Sequence, residues 1–208
     1  MSVICPTVTA FDTHEYRVQM ERLLPFAKRV HIDLMDGKFA PTTSPGLDQV
    51  WWPENITADI HLMYQNPMAL VNQLVHLKPH LVIIHQEAKV DYRAFADQMH
   101  QNLIKVGIAL LQNTEAEQIR ETILSFDHVL VFSGDLGRHG GSADTSLLEK
   151  VSRIREYHPQ VEIGWDGGVS EENALGLISG GVDVLNVGGF IQNATDPAAA
   201  YAKLKAIR

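Results

Sequence analysis

The sequence predicts a compact, closed (β/α)8 barrel, an α/β fold of the TIM type, on three observations. Eight short apolar runs rich in β-branched residues recur along the 208 residues. Segments with helical spacing separate most of them, which implies parallel strands joined by crossovers. No Gly-rich fingerprint follows the first run, ICPTVTAFD, as an open dinucleotide-binding sheet would normally show. With 45 % hydrophobic residues and no linker, charge block or low-complexity segment, residues 1–208 read as a single barrel domain.

In chain order the predicted strands are VICPTV, RVHIDLM, ADIHLM, LVIIH, KVGIALL, HVLVF, VEIGWD and DVLNVGG. Helices are expected over residues 15–28, 66–78, 91–103, 114–125, 145–158 and 170–181. The connection KFAPTTSPGLDQVWWPEN is rich in Pro, Thr and Ser, so it reads as a long loop with a short helix near Leu47 to Trp51. As the one long connection of the barrel, it is a candidate lid or part of the site mouth. Within it, Trp51 and Trp52 are expected to pack against the barrel.

The formal charge of −8 with scattered Lys and Arg argues against nucleic acid as a partner. The first residues carry no signal-peptide pattern and no apolar run reaches the ~20 residues of a membrane span. A soluble, cytoplasmic protein without a membrane partner is therefore expected. The single Cys5 has no internal disulfide partner and reads as a small buried hydrophobe on a strand.

Strand alternation places His31, Asp33 and Met35 on one face, Asp59, His61 and Met63 on another such face, and Glu162, Gly164 and Asp166 on a third. In a barrel these faces point inward, toward the C-terminal mouth where barrel enzymes place their chemistry. A buried carboxylate needs a cation, a metal or several donors opposite it. Two histidines and two aspartates that converge offer the mixed nitrogen and oxygen ligands that suit zinc, manganese, iron or cobalt. Three glycine-bearing segments, GRHGGS, DGGVS and NVGGF, follow the last three strands, where backbone N–H groups of this fold commonly approach an anion. A small phosphorylated metabolite bound there would reach across the mouth toward His31 and Asp33.

These motifs resemble the ribulose-phosphate 3-epimerase family. HIDLMDGKFAPTTSPG is similar to that family's His-x-Asp-x-Met-Asp-Gly-x-Phe-x-Pro segment, DIHLM to its second metal-histidine strand, and WDGGVSEENALGLISGGVDVLNVGG to its Asp-Gly-Gly strand and final phosphate-binding strand. CPTVTA at the start and DPAAAYAKLKAI at the end extend the likeness across the chain. The resemblance implies a barrel of the ribulose-phosphate-binding type and one divalent metal (Zn, Fe, Mn or Co) held by His31, Asp33, His61 and Asp166. It implies Asp33 and Asp166 as catalytic acid and base, inverting C3 of a ketose phosphate through a metal-stabilised enediolate. The expected conversion is D-ribulose 5-phosphate to D-xylulose 5-phosphate, a pentose phosphate pathway reaction. Thr7, Met35 and Met63 would contact substrate, and Gly140, Gly141, Gly167, Gly168, Gly188 and Gly189 would hold phosphate. A homo-oligomer, dimer or hexamer, is also implied.

The departures lie on the substrate side. Thr7 replaces a family serine, Phe132 a methionine, Gly189 a serine, Gly164 a glutamate, and Leu111-Gln112 an Asn-Pro pair, while DLGRHGGS replaces Asn-Pro-Gly-Phe-Gly-Gly-Gln. Arg138 either restores phosphate-binding charge or is solvated at a loop tip. His85 aligns with a family histidine and either contacts the site or fills the interior. The same chemistry on another ketose phosphate, such as a ketohexose 6-phosphate, and a silent sugar-phosphate-binding relative stay open. A Schiff-base lyase is disfavoured because Lys105 starts its strand, at the wrong face.

Overall fold

The computed structural model describes residues 2–207. Eight parallel strands close into a barrel in sequence order: β1 Val3–Thr9, β2 Arg29–Met35, β3 Thr57–Met63, β4 Leu81–His85, β5 Lys105–Leu110, β6 His128–Phe132, β7 Glu162–Asp166 and β8 Val184–Val187. The ring closes where Val3 to Pro6 pair with Val184 to Val187. Each strand turns alternate residues outward, so that Ile32, Leu34, Ile60, Leu62, Ile84 and Ile108 join one apolar layer with Tyr16, Met20, Leu74, Phe95 and Ile154 of the helices. The intervening residues form the interior, where Leu81, Ile83, Ala109 and Leu130 make a separate small cluster.

Helices α1 Thr13–Leu23, α2 Val71–Leu77, α3 Tyr92–Gln101, α4 Leu148–Tyr157, α5 Glu171–Ser179, α6 Gly189–Gln192 and α7 Pro197–Lys205 connect or follow the strands. Their starts are written in the sequence: Asp12, Asp91 and Asp196 each accept a backbone N–H three residues on, and Asn173 reaches back to the Ser170 N–H. Helix α1 stops at Leu23 rather than running to residue 28, because Pro25 has no N–H to donate into the helix.

Three sequence expectations are corrected. The segment expected as a helix over 114–125 forms two 3-10 turns, Ala116–Ile119 and Ile123–Ser125. The Lys150 ammonium takes the carbonyls of Leu111, Gln112 and Thr114 at 2.6 to 2.8 Å, so Thr114 O does not open an α-helical ladder and the Gln118 N–H turns to Glu115 O in a 3-10 turn. No helix forms near Leu47 to Trp51, where a turn closed by Gln49 N–H on Gly46 O leads into Pro53. Strand β8 ends at Val187, and Gly189 already opens α6.

The two ends of the interior differ in chemistry. Asp59 and Glu162 face inward as expected but occupy the N-terminal end, away from the mouth. There Arg29 Nε meets Asp59 Oδ2 at 2.6 Å, and its two terminal nitrogens grip the Glu162 carboxylate at 2.9 and 2.8 Å. His128 Nδ1 adds a third contact to Glu162 at 2.8 Å. The ring of His128 also explains Gly164, where a Cβ would come within 2.5 Å of His128 Nε2. This end is a charged plug; the mouth is the other end. Lys105 lines a shallow depression on the plug side together with His128 and Glu162, as its place at the start of β5 implies.

Candidate active site and metal centre

At the C-terminal mouth, the ends of β2, β3 and β7 bring His31, Asp33, His61 and Asp166 together, all buried, with one ligand atom from each lying within 4.8 Å of the others. His31 Nε2 stands 3.2 Å from Asp33 Oδ1 and 3.4 Å from Asp166 Oδ2, while His61 Nδ1 lies 2.8 and 4.0 Å from the same two oxygens. Four ligands placed tetrahedrally at about 2.0–2.1 Å from a zinc-sized ion are about 3.3 Å apart. The observed separations bracket that value. Both ring nitrogens of His31 and Asp166 Oδ2 are buried without a hydrogen-bond partner, and buried polar atoms are rarely left so. Donor type, spacing and orphaned atoms all fit a divalent cation.

The electrostatics point the same way. Burial works against a charged His31 ring, but the carboxylates of Asp166 and Asp33 outweigh it and push its pKa up to about 10. Burial likewise opposes an ionised Asp33, yet His31 and His61 hold it well below the usual carboxylate range. The pocket is thus organised around positive charge that a proton on His31 supplies when nothing else does.

The two aspartates are held differently. Asp33 Oδ2 accepts the Thr9 hydroxyl at 2.6 Å and Oδ1 faces His61, so both its oxygens are engaged. Thr9 is fixed in turn by Gln19, whose amide pairs with the Thr9 backbone at 2.8 and 3.0 Å. Asp166 lines the cavity, with its Oδ2 turned inward toward His31 and without a hydrogen bond.

A cavity of about 350 Å³ opens above the quartet, walled by Thr7, Thr9, Met63 and Phe132 on one side and by the late-strand loops on the other. All six glycines expected to hold phosphate line it: Gly140, Gly141, Gly167, Gly168, Gly188 and Gly189. Gly168 is required for packing as well, because a Cβ there would come 2.1 Å from Ala143 N and its φ is +67°. Arg138 and His139 reach the same wall, and His139 stands edge-on to Phe11 with ring centroids 4.8 Å apart and 3.4 Å from Glu15. Met63 borders the cavity. Met35 does not: it lies behind, in an apolar cluster with Ala40, Met63, Phe39 and Leu136. The long loop after β2 therefore backs the site instead of lining it, with Thr42 Oγ1 tied to Gly137 O at 2.9 Å. Trp51 and Trp52 stay off the cavity; the Trp51 backbone is clasped by the Tyr16 hydroxyl and Trp52 packs on the core.

Two polar residues escaped the sequence reading. Thr9 follows Thr7 by one inward step, a signal that period-2 alternation could have exposed. Asn186 lies on β8 beside Asp166, only 2 % exposed, with both amide atoms unpartnered and the side chain at the cavity wall. The Thr7 hydroxyl is equally buried and unpartnered.

Comparison with known proteins agrees with this geometry. Residues 3–192 match the model of the "Ribulose-phosphate 3 epimerase family". The chain is 32 % identical to a ribulose-phosphate 3-epimerase of Helicobacter pylori strain 26695, over 99 % of this chain and 97 % of that protein. It is 26 % identical to one of Schizosaccharomyces pombe over 97 % and 92 %. Among solved structures, a 3-hexulose-6-phosphate synthase superposes with a TM-score of 0.76 at 17 % identity, covering 100 % of this chain and 99 % of that one. KGPDC from Streptococcus mutans gives 0.74 at 12 % over 98 % and 97 %; at such identities the likeness is one of fold. A closed barrel with this quartet at its mouth, matched over nearly its whole length by named epimerases, belongs to the ribulose-phosphate 3-epimerase family, whose members are isomerases.

Proposed function

We propose that the protein inverts carbon 3 of a ketose phosphate, with D-ribulose 5-phosphate to D-xylulose 5-phosphate as its principal conversion. The observation that carries this reading is the pair of aspartates, Asp33 and Asp166, brought from β2 and β7 to one cavity in unlike environments. Epimerisation beside a ketone needs a base to take the C3 proton and an acid on the other face to return one. Asp166, whose carboxylate lines the cavity, is available to move a proton at a substrate carbon. Asp33, oriented by Thr9 and His61, is the partner on the second face. His31, Asp33, His61 and Asp166 would hold a divalent zinc, iron, manganese or cobalt ion, which when bound supplies Lewis-acid polarisation of the ketose oxygens.

The phosphate end rests on the glycine-lined wall, where backbone N–H groups can approach closely. In a chain of net charge −8, Arg138 and His139 are the basic side chains lining that cavity. Thr7 and Asn186 offer unpartnered hydrogen-bonding groups to the substrate's hydroxyls, between the phosphate wall and the quartet. Asn186→Leu is accordingly expected to lower kcat/KM about tenfold, roughly one good hydrogen bond, without changing metal content. Unchanged kinetics would remove Asn186 from substrate contact.

His31 holds a proton up to about pH 10, and that proton would have to leave before its ring could bind a cation. Below that pH the neutral, metal-competent ring is a minor fraction that shrinks about tenfold with each unit of acidification. Apparent metal affinity should therefore rise about tenfold per pH unit between pH 6.5 and 8.5, as read by chelator competition. A flat profile would contradict the assignment of His31.

The substrate is tested by assaying the metal-loaded protein on a panel of ketose phosphates. The highest kcat/KM on ribulose 5-phosphate is expected. Equal or greater activity on a ketohexose 6-phosphate would reassign the substrate while leaving the chemistry in place.

A further inference from the structure

His61 is not the end of its hydrogen-bonded line. Its Nε2 faces His85 Nε2 at 2.8 Å, deep in the interior where neither ring meets solvent. On the far side, the buried His85 Nδ1 faces Glu87 Oε2 at 3.4 Å, without a formed hydrogen bond. Glu87 is anchored through its other oxygen, which accepts the Leu111 N–H at 3.1 Å and the Thr114 hydroxyl. The His85 ring is fixed by Phe39 at 4.7 Å and Phe132 at 5.9 Å between centroids. A line of four groups thus runs Asp33, His61, His85, Glu87, with a carboxylate at each end.

Such a line has three gaps, and two neutral imidazoles carry one ring proton each. Wherever those protons sit, one gap holds two facing lone pairs. If His61 turns its proton toward Asp33, the 2.8 Å contact between the two Nε2 atoms requires His85 to donate there, leaving a bare Nδ1 toward Glu87. If instead both rings point their protons toward Glu87, the unfilled gap lies between His61 Nδ1 and Asp33 Oδ1, and a cation there completes the line.

We infer that His85 and Glu87 are positioning residues for the metal centre, holding His61 in the Nε2–H tautomer that leaves Nδ1 open to a cation. This rests on reading the quartet as a metal site. The arrangement extends the familiar pairing of a ligating histidine with a carboxylate by one imidazole. It makes strand β4 and the loop that follows it, neither of which supplies a ligand, part of what sets metal affinity.

The test measures zinc affinity by chelator competition in the wild type and in His85→Leu, His85→Gln and Glu87→Gln, alongside melting of the metal-free proteins. Outer partners of metal ligands commonly contribute tenfold to a hundredfold in affinity, so His85→Leu is expected to weaken zinc binding by about that factor. His85→Gln, whose amide oxygen can still accept from His61 Nε2–H, should recover most of the loss, and Glu87→Gln should show a smaller one. Nitrogen NMR of the zinc-loaded wild type should show His61 metallated at Nδ1 and protonated at Nε2. Wild-type affinity in His85→Leu overturns the inference, as does equal loss in the Leu and Gln variants or a His61 ring protonated at Nδ1 with zinc bound. A wild type that binds no divalent ion would overturn the metal-site reading itself, which these variant results do not.

Discussion

Asp166→Asn is expected to reduce turnover on ribulose 5-phosphate by about two to four powers of ten, the usual scale of a lost acid–base step. The substitution keeps shape and a potential ligand oxygen but removes the carboxylate that can carry a proton at the cavity wall. Asp33→Asn should cost a comparable factor, with an added structural component, because Thr9 and His61 both contact that carboxylate. Metal content measured beside the rate separates lost proton transfer from lost metal. Turnover within a few-fold of wild type, with metal in place, would remove the substituted aspartate from the proposed chemistry.

The second large effect concerns stability, at the opposite end of the barrel. Arg29→Met should destabilise the fold by about 3–5 kcal/mol, since it leaves a buried carboxylate without its counter-charge. Asp59 is 2 % exposed at its side chain, and Arg29 is its ion-pair partner at 2.6 Å. Glu162 loses a two-pronged contact in the same step but is about one-third exposed, so water recovers part of that loss. For a domain of about this size the change corresponds to a fall in Tm of roughly 10 °C. The rate per folded molecule at low temperature should stay near wild type, because the plug lies away from the quartet. A melting point within 2 or 3 °C of wild type, on the order of 1 kcal/mol, would show that water or a rearranged neighbour satisfies Asp59.

The barrel and the quartet were legible because both depend on the period-2 alternation of strands, which one sequence displays directly. His31, Asp33, His61 and Asp166 each lie at an inward position of an apolar run, and their convergence follows once the runs close into a barrel. Alternation says which face a residue takes but not which end of the strand it serves. Asp59 and Glu162 share faces with His61 and Asp166, yet their partner is Arg29 at the plug. The expected helix over 114–125 failed for a different reason: Lys150, distant in sequence, claims the Thr114 carbonyl that would accept its first N–H. The line from His61 through His85 to Glu87 was hidden because its links join β3 to β4 across 24 residues and depend on ring orientation. Met35 was displaced from the cavity by the long loop, whose Phe39 and Ala40 enclose it.

The most direct test of the account is proton NMR of ribulose 5-phosphate with the metal-loaded protein in deuterated water, following carbon 3. Deuterium entering at C3 together with the appearance of xylulose 5-phosphate is the predicted result. Retention of the C3 proton with metal bound, on ribulose 5-phosphate and on every other ketose phosphate tried, would contradict it and leave a barrel that binds sugar phosphate without turning it over.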